Sequence, residues 1–157
     1  GDRIAYTAEG APKGTQIFVR YMDAEGAVTQ VTRVEQTPGS LAWSPDGATL
    51  AFTMNVVQKN TWPIAMPRAP EGARWTEAPR IVERLDYRQD REGFVDDAYR
   101  HLFVVPASGG TPRQLTTGDW NHTGAEWTPD GQRLLFTANR VPEAEHVWRE
   151  SDIYAVT

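Results

Sequence analysis

The segment Trp43-Ser44-Pro45-Asp46-Gly47-Ala48-Thr49-Leu50-Ala51-Phe52-Thr53 returns almost unchanged as Trp127-Thr128-Pro129-Asp130-Gly131-Gln132-Arg133-Leu134-Leu135-Phe136-Thr137. The chain is therefore built from repeats, and the unit of repetition limits the folds open to it. Each copy reads as a strand ending in Trp, a tight Pro-Asp-Gly turn, and a second strand of alternating apolar and polar residues, which together make a β-hairpin. Proline presets φ for the turn and glycine accepts positive φ. In this setting Asp46 and Asp130 are expected to hydrogen-bond nearby backbone N–H groups rather than to act as catalytic carboxylates. Trp43 and Trp127, at matched strand ends, are expected to pack between repeats. A shorter copy, Gly1-Asp2-Arg3-Ile4-Ala5-Tyr6-Thr7, opens the chain, so the chain is expected to begin inside a repeat.

A second pair of strands follows each hairpin. Gln16 to Tyr21 and Val28 to Thr32 flank the turn Asp23-Ala24-Glu25-Gly26; His101 to Val105 and Thr111 to Thr116 flank Ala107-Ser108-Gly109-Gly110. The step from Thr32 to Trp43 is 11 positions and that from Thr116 to Trp127 is again 11, which fixes the alignment. With the strands of a unit labelled A to D, the chain reads B-C-D, A-B-C-D, A-B-C, the last strand being Asp152 to Val156. Four antiparallel strands per unit at this period are the pattern of a β-propeller blade. The expected fold is all-β: a partial β-propeller of about two and a half four-stranded blades, divided as 1–37, 38–118 and 119–157. Gly1 to Gly47 is 46 positions but Gly47 to Gly131 is 84, so the middle unit carries about 38 extra residues. They fall between strands B and C, roughly at residues 56–95.

This insertion has no clean period. Thr61 to Pro79 reads as an ordered loop that packs Trp62 and Trp75 on a blade, and Arg80 to Arg88 alternates as an extra strand. Gln89 to Phe94 reads as a charged turn. Asp86, Arg88, Asp90, Arg91 and Glu92, followed by Asp96 and Asp97, form the one polar constellation suited to gating a substrate or contacting another domain. The plainer reading, which the sequence favours, is a solvated, salt-bridged turn. Pro142 to Val147 also admits a short helix.

Composition removes several function classes. The net charge of −5 and the lack of a Lys/Arg run give no footprint for nucleic acid. No cysteine is present, so disulfides, thiolate chemistry and Cys-based zinc sites are out of reach. His101, His122 and His146 lack metal-ligand spacing and are expected to be surface or packing residues, so no metal and no cofactor is expected. Asn121-His122-Thr123 satisfies the glycosylation sequon, a triplet that chance often supplies. No apolar run approaches the roughly 18 residues of a membrane helix, so no membrane partner is expected, and cytoplasm and periplasm are equally open.

The repeated Trp-Ser/Thr-Pro-Asp-Gly hairpin, followed by Leu102-Phe-Val-Val-Pro-x-x-Gly-Gly-x-Pro-Arg-Gln-Leu-Thr116, resembles the N-terminal β-propeller of prolyl-oligopeptidase-type serine peptidases. The segment Arg84 to Phe94 is similar to the insertion of their acylaminoacyl-peptidase and dipeptidyl-aminopeptidase branch. The TolB propeller shares the Ser-Pro-Asp-Gly hairpin, and a TolB-like binding scaffold with no peptidase attached is the alternative reading. The peptidase resemblance implies a propeller that filters substrates for a separate α/β-hydrolase domain, with the remaining blades and that hydrolase as partners. None of the serines, Ser40, Ser44, Ser108 and Ser151, sits in Gly-x-Ser-x-Gly, so no catalytic residue is assigned within this chain. Unpaired strand edges are further expected to favour self-association.

Overall fold

The computed structural model describes residues 1–23, 25–58, 67–74, 76 and 80–157. Among the described residues there are twelve strands: β1 (Arg3–Gly10), β2 (Gly14–Tyr21), β3 (Val28–Gln30), β4 (Gly39–Trp43), β5 (Thr49–Val57), β6 (Arg88–Gln89), β7 (Gly93–Phe94), β8 (Ala98–Pro106), β9 (Arg113–Gln114), β10 (His122–Trp127), β11 (Leu134–Ala138) and β12 (Asp152–Val156). They form three antiparallel meanders, β1-β2-β3, β4-β5-β8-β9 and β10-β11-β12, together with the small β6-β7 hairpin. The architecture is that of consecutive blades of a β-propeller.

The repeat is visible atom by atom. Tyr6 pairs with Phe18, Phe52 with Phe103 and Phe136 with Tyr154 across strands B and C of the three sheets. All three pairs stack, with ring centroids 5.8, 5.5 and 5.7 Å apart. In the Pro-Asp-Gly turns, Gly47 and Gly131 take φ of 68° and 69°, as the turn requires. Ser44 Oγ donates to Asp46 Oδ1 at 2.5 Å and accepts from Thr49 N at 2.9 Å, while Asp46 Oδ1 accepts from Ala48 N at 3.0 Å. Thr128 and Asp130 reproduce this set with Arg133 N and Gln132 N, at 2.5, 3.1 and 3.0 Å.

Two cores lie between the sheets. Ile17, Val19 and Val31 of the first sheet meet Leu50, Phe52, Phe103 and Val105, with Trp43 packed against them. On the other face of the middle sheet, Ala51, Leu102 and Val104 meet Ala125, Leu134, Phe136 and Ala138, with Trp127 against them. Period-two alternation explains the division: adjacent residues of β5 and β8 point to opposite faces, so a strand buried on both faces reads as a continuous apolar run. Trp127 Nε1 also donates to Ala42 O at 3.3 Å, and Arg3 Nη2 donates to Gly47 O at 2.9 Å, so hydrogen bonds cross between neighbouring sheets.

Several local expectations change. β5 runs to Val57 and β8 starts at Ala98, so the insertion occupies 58–97 rather than 56–95. The expected strand over Arg80 to Arg88 does not form: pairing begins only at Arg88, where a short hairpin folds back on itself. An alternating pattern makes a strand only where a neighbouring strand accepts its hydrogen bonds, and none lies beside residues 80–86 among the described residues; Tyr87 O accepts from Val95 N at 3.0 Å at the foot of the hairpin. Pro142 to Val147 forms successive turns, with His146 N bonded to Glu143 O and Val147 N to Ala144 O, not a helix. The expected packing of Trp62 and Trp75 lies outside the described residues.

Both inner strands carry a β-bulge three residues before the tryptophan. Its left-handed position is Ser40 (φ 51°) in β4 and Gly124 (φ 70°) in β10. A Cβ on Gly124 would meet nothing within 4 Å, so only backbone preference separates the two sites. Ser40→Gly is therefore expected to raise, and Gly124→Ala to lower, the unfolding free energy by about 1 kcal/mol each. Urea denaturation of the two variants measures both.

Candidate functional site

The Pro-Asp-Gly turns occupy one end of the second and third sheets, and the insertion and the strand D to strand A connections occupy the other. Trp43, Pro45, Asp46, Gly47, Trp127, Pro129, Asp130 and Gly131 are thus all remote from the insertion. The Asp46 and Asp130 carboxyls are held below the usual carboxylate range, first by the hydroxyls of Ser44 and Thr128 and then by the N–H groups of Ala48 and Gln132. Carboxylates so engaged serve the turn.

At the opposite end, insertion residues stand over a groove of about 530 Å³. Its floor comes from the blades: Asn55 and Val57 of β5, Ala98 and Arg100 of β8, and Gln36, Asn121 and Thr123 at the starts of inner strands. Its roof comes from the insertion, with Arg84, Asp86, Gln89, Glu92, Phe94, Val95 and Asp96. Of the constellation singled out in the sequence, Asp86, Glu92 and Asp96 line this groove, Asp97 pairs with Arg84 at 3.1 Å, and the Arg88 guanidinium lies 5.9 Å from the Phe94 ring centre. Asp90 and Arg91 form the tip of the β6-β7 turn, where Arg91 takes a φ of 71°. None of Asp86, Arg88, Asp90, Arg91 and Glu92 makes an ion pair among the described residues. Within the constellation only Asp97 is ion-paired among the described residues, to Arg84, where the ionic network of the region is centred.

That centre is Arg84. Its Nη1 donates to Asp97 Oδ1 at 3.1 Å and Ala98 O at 3.2 Å, and its Nε donates to Glu145 Oε1 at 2.9 Å. Glu145 Oε2 accepts from Leu85 N at 2.9 Å, and the guanidinium lies 4.4 Å from the Tyr99 ring centre. Burial works against the Arg84 charge, yet its bonds to Glu145 and Asp97 outweigh this and raise its pKa further. The Arg84 bond, then Leu85 N–H, holds the Glu145 carboxyl below its ordinary range. One side chain thus fastens the insertion both to the base of β8 and to the β11-β12 connection. Sequence inspection misses the pairing because its partners lie 61 positions apart. Arg84→Ala is expected to speed amide exchange over residues 80–97 by about tenfold or more, while β5 and β8 stay protected. Residue-resolved hydrogen exchange reads the difference.

Beneath the groove floor, His101 and His122 lie against each other with ring centroids 5.1 Å apart and planes tilted by 35°, and their residues are 2% and 0% exposed. His122 Nδ1 lies 3.0 Å from Arg100 O, and Nε2 lies 3.0 Å from Arg140 Nη2. Because arginine can only donate, Nε2 is the acceptor and Nδ1–H donates to Arg100 O; His122 is neutral. Arg140 in turn lies 4.2 Å from the centre of the Tyr154 ring. Burial pushes both imidazoles below the ordinary histidine value; the adjacent His122 ring further disfavours a proton on His101, and the Arg140 guanidinium disfavours one on His122. The folded state thus binds fewer protons than the unfolded one as pH falls below about 6.5, the unfolded value. Stability from this pair is complete above that pH and is lost on acidification towards the depressed folded values. The urea midpoint is expected to fall between pH 7.5 and 5 more steeply in the parent chain than in His122→Gln, and parallel slopes would contradict it.

No group of three or more His, Asp or Glu among the described residues is arranged to hold a metal ion, and no described helix is long and apolar enough to cross a membrane. The family model described as the dipeptidyl peptidase IV (DPP IV) N-terminal region matches residues 71–151, just over half of the chain. A Bacillus subtilis (strain 168) protein named uncharacterized peptidase YuxL is 24% identical over 155 residues, covering 98% of this chain and 22% of that protein. The crystal structure of TolB from Acinetobacter baumannii superimposes with a TM-score of 0.53 at 18% identity, over 98% of this chain and 26% of that one. The chain spans about a quarter or less of the length of each. The TolB likeness establishes the propeller fold.

Proposed function

The chain belongs to the dipeptidyl peptidase IV N-terminal region family, and on that premise we propose that it is a non-catalytic propeller segment of a prolyl-oligopeptidase-like serine peptidase, where it gates access of peptides to an α/β-hydrolase domain. The observation that carries the reading is the polar groove at the insertion end of the blades, roofed by a segment that Arg84 fastens at two points. A groove with carboxylates at Asp86, Glu92 and Asp96 and a guanidinium at Arg100 offers partners to both charged and amide groups of an extended peptide. The match to a named peptidase over nearly the whole chain supports the same reading. Hydrolysis itself belongs to residues outside this sequence, since no Gly-x-Ser-x-Gly elbow occurs in it.

Gating means that the roof restricts long substrates more than short ones. In the full-length peptidase, Arg84→Ala is expected to raise kcat/KM for a long peptide relative to a dipeptide reporter by about threefold or more, with the short-substrate rate preserved. Charge reversal at the turn tip, Asp90→Arg with Arg91→Asp, should shift preference among charged peptides. An unchanged ratio in an Arg84→Ala enzyme whose insertion has been shown by hydrogen exchange to be released would remove the gating role. A parent protein without any peptidase activity would return the chain to the binding-scaffold reading.

A further inference from the structure

The buried histidines join the floor of the groove to the connection that holds its roof. His101 takes the place that Gln16 has in the first sheet, against the threonine that closes the outer strand: Thr32 Oγ1 donates to Gln16 Oε1 at 3.1 Å, and Thr116 Oγ1 lies 3.4 Å from His101 Nδ1. His122 packs on His101 and on the Phe136 ring, with ring centroids 5.1 and 5.2 Å away. The two nitrogens of His122 serve opposite sides. Nδ1–H donates to Arg100 O on the groove floor at 3.0 Å, and Nε2 accepts at 3.0 Å from Arg140 Nη2 in the β11-β12 connection.

Arg140 depends on that acceptor. It makes no ion pair among the described residues, its Nε is buried without a partner, and its guanidinium otherwise lies over the rings of Tyr154 and Phe136, 4.2 and 5.5 Å from their centres. The same connection is drawn together by Asn139 Nδ2, which donates to Val147 O at 2.7 Å, and it carries Glu145, whose carboxylate holds Arg84 Nε and Leu85 N–H of the roof. A route of contacts thus runs from His122 to Arg140, along the connection to Glu145, and on to Arg84. Among the described residues, the titratable or charged groups around the His122 ring are His101 from β8, Arg140 from the β11-β12 connection and, through His101, Asp119 from the β9-β10 connection. β11 and β12 supply the rings of Phe136 and Tyr154.

We propose that His122 is a proton-operated release for the roof of the groove. A proton taken from solvent at Nε2 removes the acceptor of Arg140 and sets an imidazolium against a guanidinium whose nearest nitrogens are 3.0 Å apart, and like charges that close do not both stay. Arg140 turns out to solvent, the start of the connection loses its hold on the middle blade, and the Glu145 anchor of Arg84 loosens with it. Nδ1–H is a donor in both protonation states, so the bond to Arg100 O persists and the floor keeps its shape. As regulation of the groove this rests on the gating reading, but release of the roof is a property of the fold and needs no substrate to be measured.

The test is residue-resolved hydrogen exchange on the full-length protein at about pH 7.5 and about pH 5, expressed as protection factors so that the intrinsic pH dependence of exchange drops out. Acidification is expected to lower protection of the Leu85 amide by about threefold or more while that of Leu102 in β8 is kept. His122→Gln offers Arg140 an amide oxygen at either pH, so there Leu85 is expected to be equally protected at both. Arg140→Met has no guanidinium to expel and is expected to leave Leu85 weakly protected at both; it serves alone where His122→Gln does not fold. A Leu85 amide indifferent to pH in the parent overturns the proposal. So does a loss that persists in Arg140→Met, which assigns it to the Glu145 or Asp97 carboxyl, or one that Leu102 shares, which is unfolding of the blade. Peptide turnover separates the two readings. Release by acid with an unchanged ratio of long- to short-peptide kcat/KM supports the release and removes gating, whereas a ratio that rises with acid in Arg140→Met as in the parent keeps gating and overturns the release.

Discussion

A twisted sheet with two apolar faces is stable only when something covers each face, and the middle sheet of this chain is covered on both by its neighbours. Phe52 and Leu50 point into one core and Ala51 into the other, and the same division separates Phe103 and Val105 from Leu102 and Val104. Burying a side chain such as Phe52 completely stabilises the fold by roughly 1.5–3 kcal/mol. Everything else in the molecule depends on this sandwiching. The Pro-Asp-Gly turns hold the register that sends alternate residues to alternate cores, and the tryptophans at the strand ends seal the gaps. The first and third sheets are covered by a neighbour on one face, and their other faces carry Ile4, Tyr6, Leu135 and Ile153 with substantial exposure.

The sandwich explains how much was legible in the sequence. A blade is a local unit with a local code, so two copies of Trp-Ser/Thr-Pro-Asp-Gly were enough to order the strands and to find the insertion by subtraction. The repeated bonds of Ser44 and Thr128 show why that code is stable to substitution: serine and threonine offer the same hydroxyl to the same carboxylate. The insertion obeys no such code. Alternation in Arg80 to Arg88 suggested a strand, but alternation describes only which side chains share a face, and a strand needs a hydrogen-bonding neighbour as well. Likewise the charge run at Asp86 to Glu92 is the densest in the insertion, whereas the residue that organises the region is Arg84, whose partner Glu145 belongs to another blade. Long-range ion pairs leave no periodic trace.

The histidines make the same point from the other side. His101 and His122 lack metal spacing, and nothing in the chain marks them as a pair. They meet because His101 stands where Gln16 stands in the first sheet, beneath the closing threonine, and because inner strand β10 brings His122 against it. A glutamine at this position satisfies its neighbours at any ordinary pH. His122 beside it satisfies its own neighbours only while neutral, since Arg140 already supplies the cation at His122 Nε2.

Floor and roof of the groove are consequently held by different physics. Arg100, on the floor, has its N–H bonded to Asn121 Oδ1 at 2.9 Å at the surface and its carbonyl bonded to the buried His122 Nδ1, which ties this point of β8 to the core. The roof hangs on exposed and half-buried ion pairs, whose strength is modest and sensitive to salt. A floor bolted to the core beside a roof held by charges has a natural hierarchy of motion. The roof opens at a free-energy cost far below that of disturbing the floor, so groove width can vary while the geometry of its base stays constant. A rigid base under an adjustable cover follows here from where Arg84 finds its partners, and it is the arrangement that the proposed gating role requires.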